Sequence, residues 1–185
     1  MPHFFQTQSP MQTQSPIQAP QVSGRPGARP GAPESQREFQ VCSFWIAERL
    51  FGVDISDVRE INREVGFTRI HHAPPDVRGY VNIRGQIYLV LDLRLMLGFG
   101  SVPTGPASRV VLFKPSAGTS FGVLVDRAGD IVPIAGERIE WRERQPAGHG
   151  HDPRKALIAG DCKFPTNLLT LLHSRGLLEA VQVPQ

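Results

Sequence analysis

A pattern spanning eleven positions of this chain returns seventy residues further on with its register unbroken. Phe51-Gly52-Val53-Asp54-Ile55, Val58 and Glu60-Ile61 are matched without a gap by Phe121-Gly122-Val123-Leu124-Val125, Ala128 and Asp130-Ile131. A second echo pairs Gly79 and Leu89-Val90-Leu91-Asp92 with Gly160 and Thr170-Leu171-Leu172-His173, again at one common spacing. Such self-similarity implies two copies of one supersecondary unit. The repeated runs are short, rich in β-branched and aromatic residues, and bounded by turn signals at roughly 8–12-residue intervals. This predicts an all-β chain of two small barrels sharing a core, rather than one α/β sheet. The copies differ in charge, because Pro165 stands at the position corresponding to Arg84. One copy is therefore read as binding and the other as supporting it.

The stretch from Thr68 to Arg94 organises the first copy. Two apolar runs, Val77–Ile83 and Ile87–Leu93, flank a polar Arg84-Gly85-Gln86 turn and predict a β-hairpin. A period of two puts Ile87, Leu89, Leu91 and Leu93 on one face, assigned to the core, and Tyr88, Val90, Asp92 and Arg94 on the other. Asn82 precedes Arg84 on the same face, and Gly85 permits a tight turn. An arginine presented at such a tip, in an apolar surround, is a candidate for recognition, since arginine is favoured at interface hot spots.

An earlier hairpin is predicted from Phe39–Ile46, an Ala47-Glu48-Arg49 turn and Leu50–Ile55, with Ser56-Asp57 breaking the run before Val58–Ile61 and a polar Asn62–Gly66 segment. Asp92–Leu97 reads as one helical turn stopped at Gly98, followed by a breaker-rich loop to Ser108. Gln145–Lys155 reads as a second flexible loop, and Leu177, Leu178 and Val181 as the apolar face of a short C-terminal helix. Residues 1–36 are rich in Gln and Pro and carry QTQSP twice. They lack a core-forming pattern and are expected to be a disordered tail on a domain spanning residues 37–185.

Composition narrows the chemistry. A net charge of +3 without a Lys/Arg run argues against nucleic-acid binding. Cys42 and Cys162 lie far apart and outside any C-x-x-C pair, so neither a zinc site nor a disulfide framework is expected and a reducing compartment is. No basic n-region with an apolar h-region opens the chain, and no run approaches the ~18–20 apolar residues of a membrane span. Gly118-Thr119-Ser120-Phe121-Gly122 matches the Gly-x-Ser-x-Gly pattern of hydrolases, but a strand-like run follows where that motif requires a helix. It is read as a turn. His71-His72 and His149-Gly150-His151-Asp152 lack the spacing that fixes metal ligands on one face and are read as loop histidines. Walker and dinucleotide glycine motifs are absent, so no catalytic residue, cofactor or metal is expected.

Thr68-Arg69-Ile70, Pro74, Val77-x-Gly79-x-x-Asn82-x-Arg84-Gly85 and Val90-x-Asp92-Leu93-Arg94 together resemble the CheW family of bacterial chemotaxis coupling proteins, from about Phe39 to Leu178. Phe44-x-Ile46 with Phe51–Ile61 is similar to that family's opening hairpin, and Phe121-Gly122-x-x-Val125-Asp126 to its second half. The resemblance implies two intertwined five-stranded SH3-like barrels, short helical turns and a C-terminal helix. It also implies a non-catalytic, stand-alone cytoplasmic adaptor, associated with membrane receptor arrays through protein partners and not inserted in the membrane. Those partners are the cytoplasmic tip of methyl-accepting chemoreceptors and the regulatory domain of the histidine kinase CheA. By the same resemblance Val58, Glu60, Asn82, Arg84 and Gly85 are assigned to receptor binding, with Arg84 near Glu60, and Val53, Ile55 and Ile61 to apolar edge strands that engage the kinase. A related adaptor of another chemosensory pathway, such as surface motility, is the alternative. Departures from the family pattern are Ala47-Glu48 at the first turn, His173 in place of the final aspartate, and Arg175-Gly176 at the last helix.

Overall fold

The structure, a computed structural model, describes residues 37–63, 66–143 and 153–181. The expectation for residues 1–36 and that for His149–Asp152 fall outside the described residues. Eleven strands form among these: β1 (Glu38–Ile46), β2 (Arg49–Asp54), β3 (Val58–Arg63), β4 (Val77–Ile83), β5 (Gln86–Asp92), β6 (Arg109–Phe113), β7 (Phe121–Val125), β8 (Arg127–Ala135), β9 (Ile139–Trp141), β10 (Ile158–Lys163) and β11 (Leu168–Leu172). Short helices α1 (Leu93–Met96), α2 (Pro153–Leu157) and α3 (Ser174–Glu179) complete the fold. Pro153, Arg154 and Lys155, read as loop from the sequence, begin α2.

One sheet has the order β8-β1-β2-β11-β10-β9 and the other β3-β6-β7-β5-β4. Superposing the two orders maps β8 on β3, β1 on β6, β2 on β7, β11 on β5 and β10 on β4; for all but β1 and β6 this is the correspondence that the repeated sequence predicts. In each sheet the single parallel pairing falls at the same place, β2 with β11 and β5 with β7. The copies are exchanged as well as repeated: β3 from the first copy pairs with β6, and β8 from the second pairs with β1. Three clusters of apolar side chains follow. One sheet encloses Val41, Ile134, Ile139, Ala159, Cys162, Leu169 and Leu171. The other encloses Val81, Ile83, Tyr88, Val90, Val110, Leu112 and Leu124. The third and largest lies between the sheets, where Phe44, Phe51 and Val53 from one meet Leu91, Phe113, Phe121 and Val123 from the other. Rings of Phe113 and Phe121 stack there at 4.7 Å.

Expected and observed sheets differ by one strand. Where β9 pairs with β10 in the second copy, the first copy has only an isolated bridge between Thr68 and Tyr80. After Thr68 the chain turns at His72, in left-handed backbone, and passes through Pro74-Pro75 before β4. The bridge is nevertheless tight. Gly79 lies in a bulge of β4 at φ +135°, and a Cβ there would fall 2.2 Å from the Thr68 carbonyl oxygen. Gly79→Ala is expected to destabilise the fold by about 2 kcal/mol or more, combining backbone strain with overpacking. An unchanged urea midpoint would contradict this.

Strand β5 corrects the face assignment. Leu91 is fully buried in the shared core and Leu89 half-buried against it, but Ile87 is 61 % exposed. Tyr88 and Val90, assigned to the other face, are buried in the barrel interior. The strand separates two cores, so alternation sorts its residues between them and does not separate core from solvent; only its first residues reach the open rim. Turns are also tighter than expected, since Arg49 and Gln86 are each the first residue of a strand.

Both cysteines are buried and free, and burial raises the pKa of each thiol. At neutral pH they are held as thiols, not as the nucleophilic thiolates. We expect negligible reaction of Cys42 and Cys162 with Ellman's reagent at pH 8 in the native protein and full reaction after denaturation. Rapid labelling of the native chain would show that these strands open.

Candidate protein-binding surface

The β4–β5 connection is a two-residue turn with Arg84 at φ 53° and Gly85 at φ 83°. Positive φ at both central positions is the twist-matched hairpin geometry that ordinarily selects Asn-Gly. Gly85 meets that demand freely, whereas Arg84 is a non-glycine residue held in left-handed backbone. Asn82 fixes the turn, its Oδ1 accepting a hydrogen bond from the Gly85 N–H at 2.9 Å. Asn82 thus positions the tip.

Curling of the five-stranded sheet brings this tip against β3, the opposite end of the strand order. Arg84 Nη1 lies 3.4 Å from Glu60 Oε2, with the arginine side chain 81 % exposed and the glutamate side chain 23 %. One residue away, Arg59 Nη1 donates to Gln86 Oε1 at 2.9 Å, and its guanidinium lies 5.8 Å from the Tyr88 ring centroid. Gln86 Oε1 also accepts from Tyr88 Oη at 2.8 Å, while Gln86 Nε2 donates to Ser120 Oγ at 3.1 Å. This network ties β3, β5 and the start of β7 together beneath Arg84. Sequence reasoning overlooked Arg59 and Gln86, whose polar side chains are unremarkable until the sheet closes. Ser120 is a partner within that network on the turn before β7.

The remaining assigned residues separate by depth. Val58 is buried in the shared core and has a packing role beneath the tip. Ile61 lies on the edge strand β3 and is 39 % exposed. Ile55 is half-buried in the 3₁₀ turn Ile55–Asp57. Val53 corrects its assignment: β2 is an interior strand, and Val53 is buried in the shared core with no surface to offer a partner. Its apolar character and β-branching suited both readings, and only the strand order separates them. In the five-stranded sheet β3 is one of the two end strands, the other being β4.

Elsewhere, charged groups hold the frame. Arg94 Nη1 meets Asp126 Oδ2 at 2.6 Å, and the same oxygen accepts from the Ala47 N–H at 2.8 Å. Asp126 thereby secures the Ala47-Glu48 turn, whose two residues sit at positive φ without a glycine. Among the described residues no group of three or more His, Cys, Asp or Glu is placed to hold a metal, and no helix is long and apolar enough to cross a membrane.

The double β-barrel with its charged hairpin tip is shared in fold with a known scaffolding protein. The scaffolding protein TtCheW from Thermoanaerobacter tengcongensis is similar at a TM-score of 0.62 and 27 % identity, over 74 % of this chain and 89 % of that one. The chain belongs to the CheW family: the CheW-like domain matches residues 40–182. The chemotaxis protein CheW of Treponema pallidum is 26 % identical over 154 residues, covering 80 % of this chain and 87 % of that protein. A probable chemotaxis protein CheW of Rhizobium etli is 31 % identical over 107 residues, covering 57 % and 68 %. Family membership assigns this chain a scaffold role in chemotaxis.

Proposed function

We propose that the chain is a non-catalytic cytoplasmic adaptor that couples chemoreceptors to the regulatory domain of the histidine kinase CheA within receptor arrays. The observation that carries this reading is Arg84: an exposed guanidinium on a two-residue turn, held in left-handed backbone that an unconstrained tip would assign to Asn or Gly. The ion pair with Glu60 is too exposed to explain that choice by stability, since surface pairs contribute at most about 1 kcal/mol. A planar guanidinium with its orientation set by Glu60 is suited to recognition by a partner. In this reading the receptor tip contacts Arg84 and Glu60, with Asn82, Gly85 and Val58 supporting them. The kinase meets the apolar rim near Ile61 and Ile55.

Binding of the purified chain to a receptor cytoplasmic fragment and to the kinase regulatory domain, each measured by titration calorimetry, tests this reading. Saturable binding to both is expected. Failure to bind either one would overturn the coupling role.

A further inference from the structure

The repeat supplies an internal control for the polar network beneath the Arg84 tip. Arg59 is the extra residue of a bulge in β3, since Val58 pairs with Phe113 and Glu60 with the adjacent Leu112. Bulges re-aim the side chains they carry, and this one accompanies a reach from β3 to Gln86 at the start of β5. Strand β8 is bulged at the same place, between the pairs Ala128 with Phe44 and Ile131 with Cys42. By the repeat register its counterpart of Arg59 is Gly129. A Cβ there would lie 2.4 Å from Ser43 Oγ and 3.1 Å from the Ser43 carbonyl oxygen, so little room is left for a side chain.

The partners of Arg59 differ between the copies in the same sense. Gln86, Tyr88 and Ser120 correspond to Asn167, Leu169 and Leu50. Leu169 is fully buried, and Leu50 packs against the same apolar cluster. One barrel thus closes this region by apolar packing, so the fold itself does not demand an arginine, a glutamine and a tyrosine there.

In the first copy, Arg59 and Arg84 cross one seam in opposite directions. Arg84 reaches from the β4–β5 turn to Glu60 on β3, and Arg59 from β3 to Gln86 on β5. Both arginines are exposed. Glu60 supplies one carboxylate to two guanidiniums, and the Gln86 oxygen that holds Arg59 is neutral, so these four residues carry an excess positive charge. The Gln86 amide is oriented from both ends, its oxygen accepting from Arg59 and Tyr88 and its nitrogen donating to Ser120. An arginine held in this way loses less freedom on binding, and its planar fork matches a carboxylate.

We propose that Arg59 is a second recognition arginine of the receptor-facing surface, and that it reads an acidic side chain of the receptor segment beside the contact made by Arg84. This rests on the receptor-binding reading of the Arg84 tip. The test is calorimetric titration of the wild-type chain, Arg59→Gln and Arg59→Lys with a receptor cytoplasmic fragment and with the kinase regulatory domain, at low and high salt. Arg59→Gln is expected to bind the receptor fragment about tenfold more weakly, the scale of one charge-assisted contact. It should also lose part of the salt dependence, which a merely structural role would not move. Arg59→Lys, with the charge but not the fork, should fall between the two. In the fragment, replacing Asp and Glu one at a time by Asn and Gln should find a position that weakens the wild-type chain but not Arg59→Gln any further. If a thermal melt shows Arg59→Gln unfolded, Arg59→Lys takes its place in that cycle. Unchanged receptor affinity and salt dependence, a loss confined to the kinase domain, or the lack of any such acidic position would overturn the proposal and leave the receptor reading standing. A wild-type chain that fails to bind the fragment would overturn both.

Discussion

Arg84→Glu is expected to remove receptor-fragment binding while leaving the protein folded and able to bind the kinase regulatory domain. The side chain is 81 % exposed, and its ion pair with Glu60, at 3.4 Å, contributes at most about 1 kcal/mol to stability. Charge reversal has two consequences at the interface. It removes a guanidinium whose loss at a hot spot costs about 2 kcal/mol or more, and it places a second carboxylate beside Glu60. The kinase surface is assigned to the β3 rim, so its affinity should change little. Calorimetric titration of the variant with both partners, alongside a thermal melt, separates these effects. Wild-type receptor affinity, or a collapsed melt, would contradict the role given to Arg84.

Leu91→Ala is expected to cost about 2–5 kcal/mol of folding stability, the range for truncating a fully buried leucine. Leu91 belongs to the cluster between the two sheets, where it packs with residues of both copies. Neither copy could readily collapse around the void, because this face is the one they share. Ile87→Ala, four residues earlier on the same strand face, should change stability by less than about 0.5 kcal/mol, as exposed positions do. Denaturant melts of the two variants give the contrast directly. Equal losses would show that the rim around Ile87 is covered in solution.

The duplication, the hairpins and the Arg84 tip were legible in sequence because each rests on local pattern: repeat register, turn residues and strand period. What local pattern does not carry is which strands lie beside each other. Val53 and Ile61 are both β-branched residues in short strands, yet β2 runs inside a sheet and β3 at its edge, so one is core and the other surface. Alternation in β5 failed for a related reason, since a strand between two cores has no solvent face over most of its length. Arg59 and Gln86 join the site only because sheet closure brings β3 to the start of β5, through contacts 27 residues apart in sequence. The departures at the C-terminus proved structural in a different way. His173 makes no side-chain cap for α3, whereas Asp92 caps α1 with its Oδ1, and the Ser174 hydroxyl binds Asp57 to secure the helix start.

An adaptor must hold two partners at once, and simultaneous occupancy is the most direct measure of that claim. Sedimentation velocity of an equimolar mixture of the chain, a receptor cytoplasmic fragment and the kinase regulatory domain should show a ternary species that Arg84→Glu reduces to the binary kinase complex. If the receptor fragment instead displaces the kinase domain, so that only binary complexes sediment, the two surfaces are one and the coupling account is contradicted.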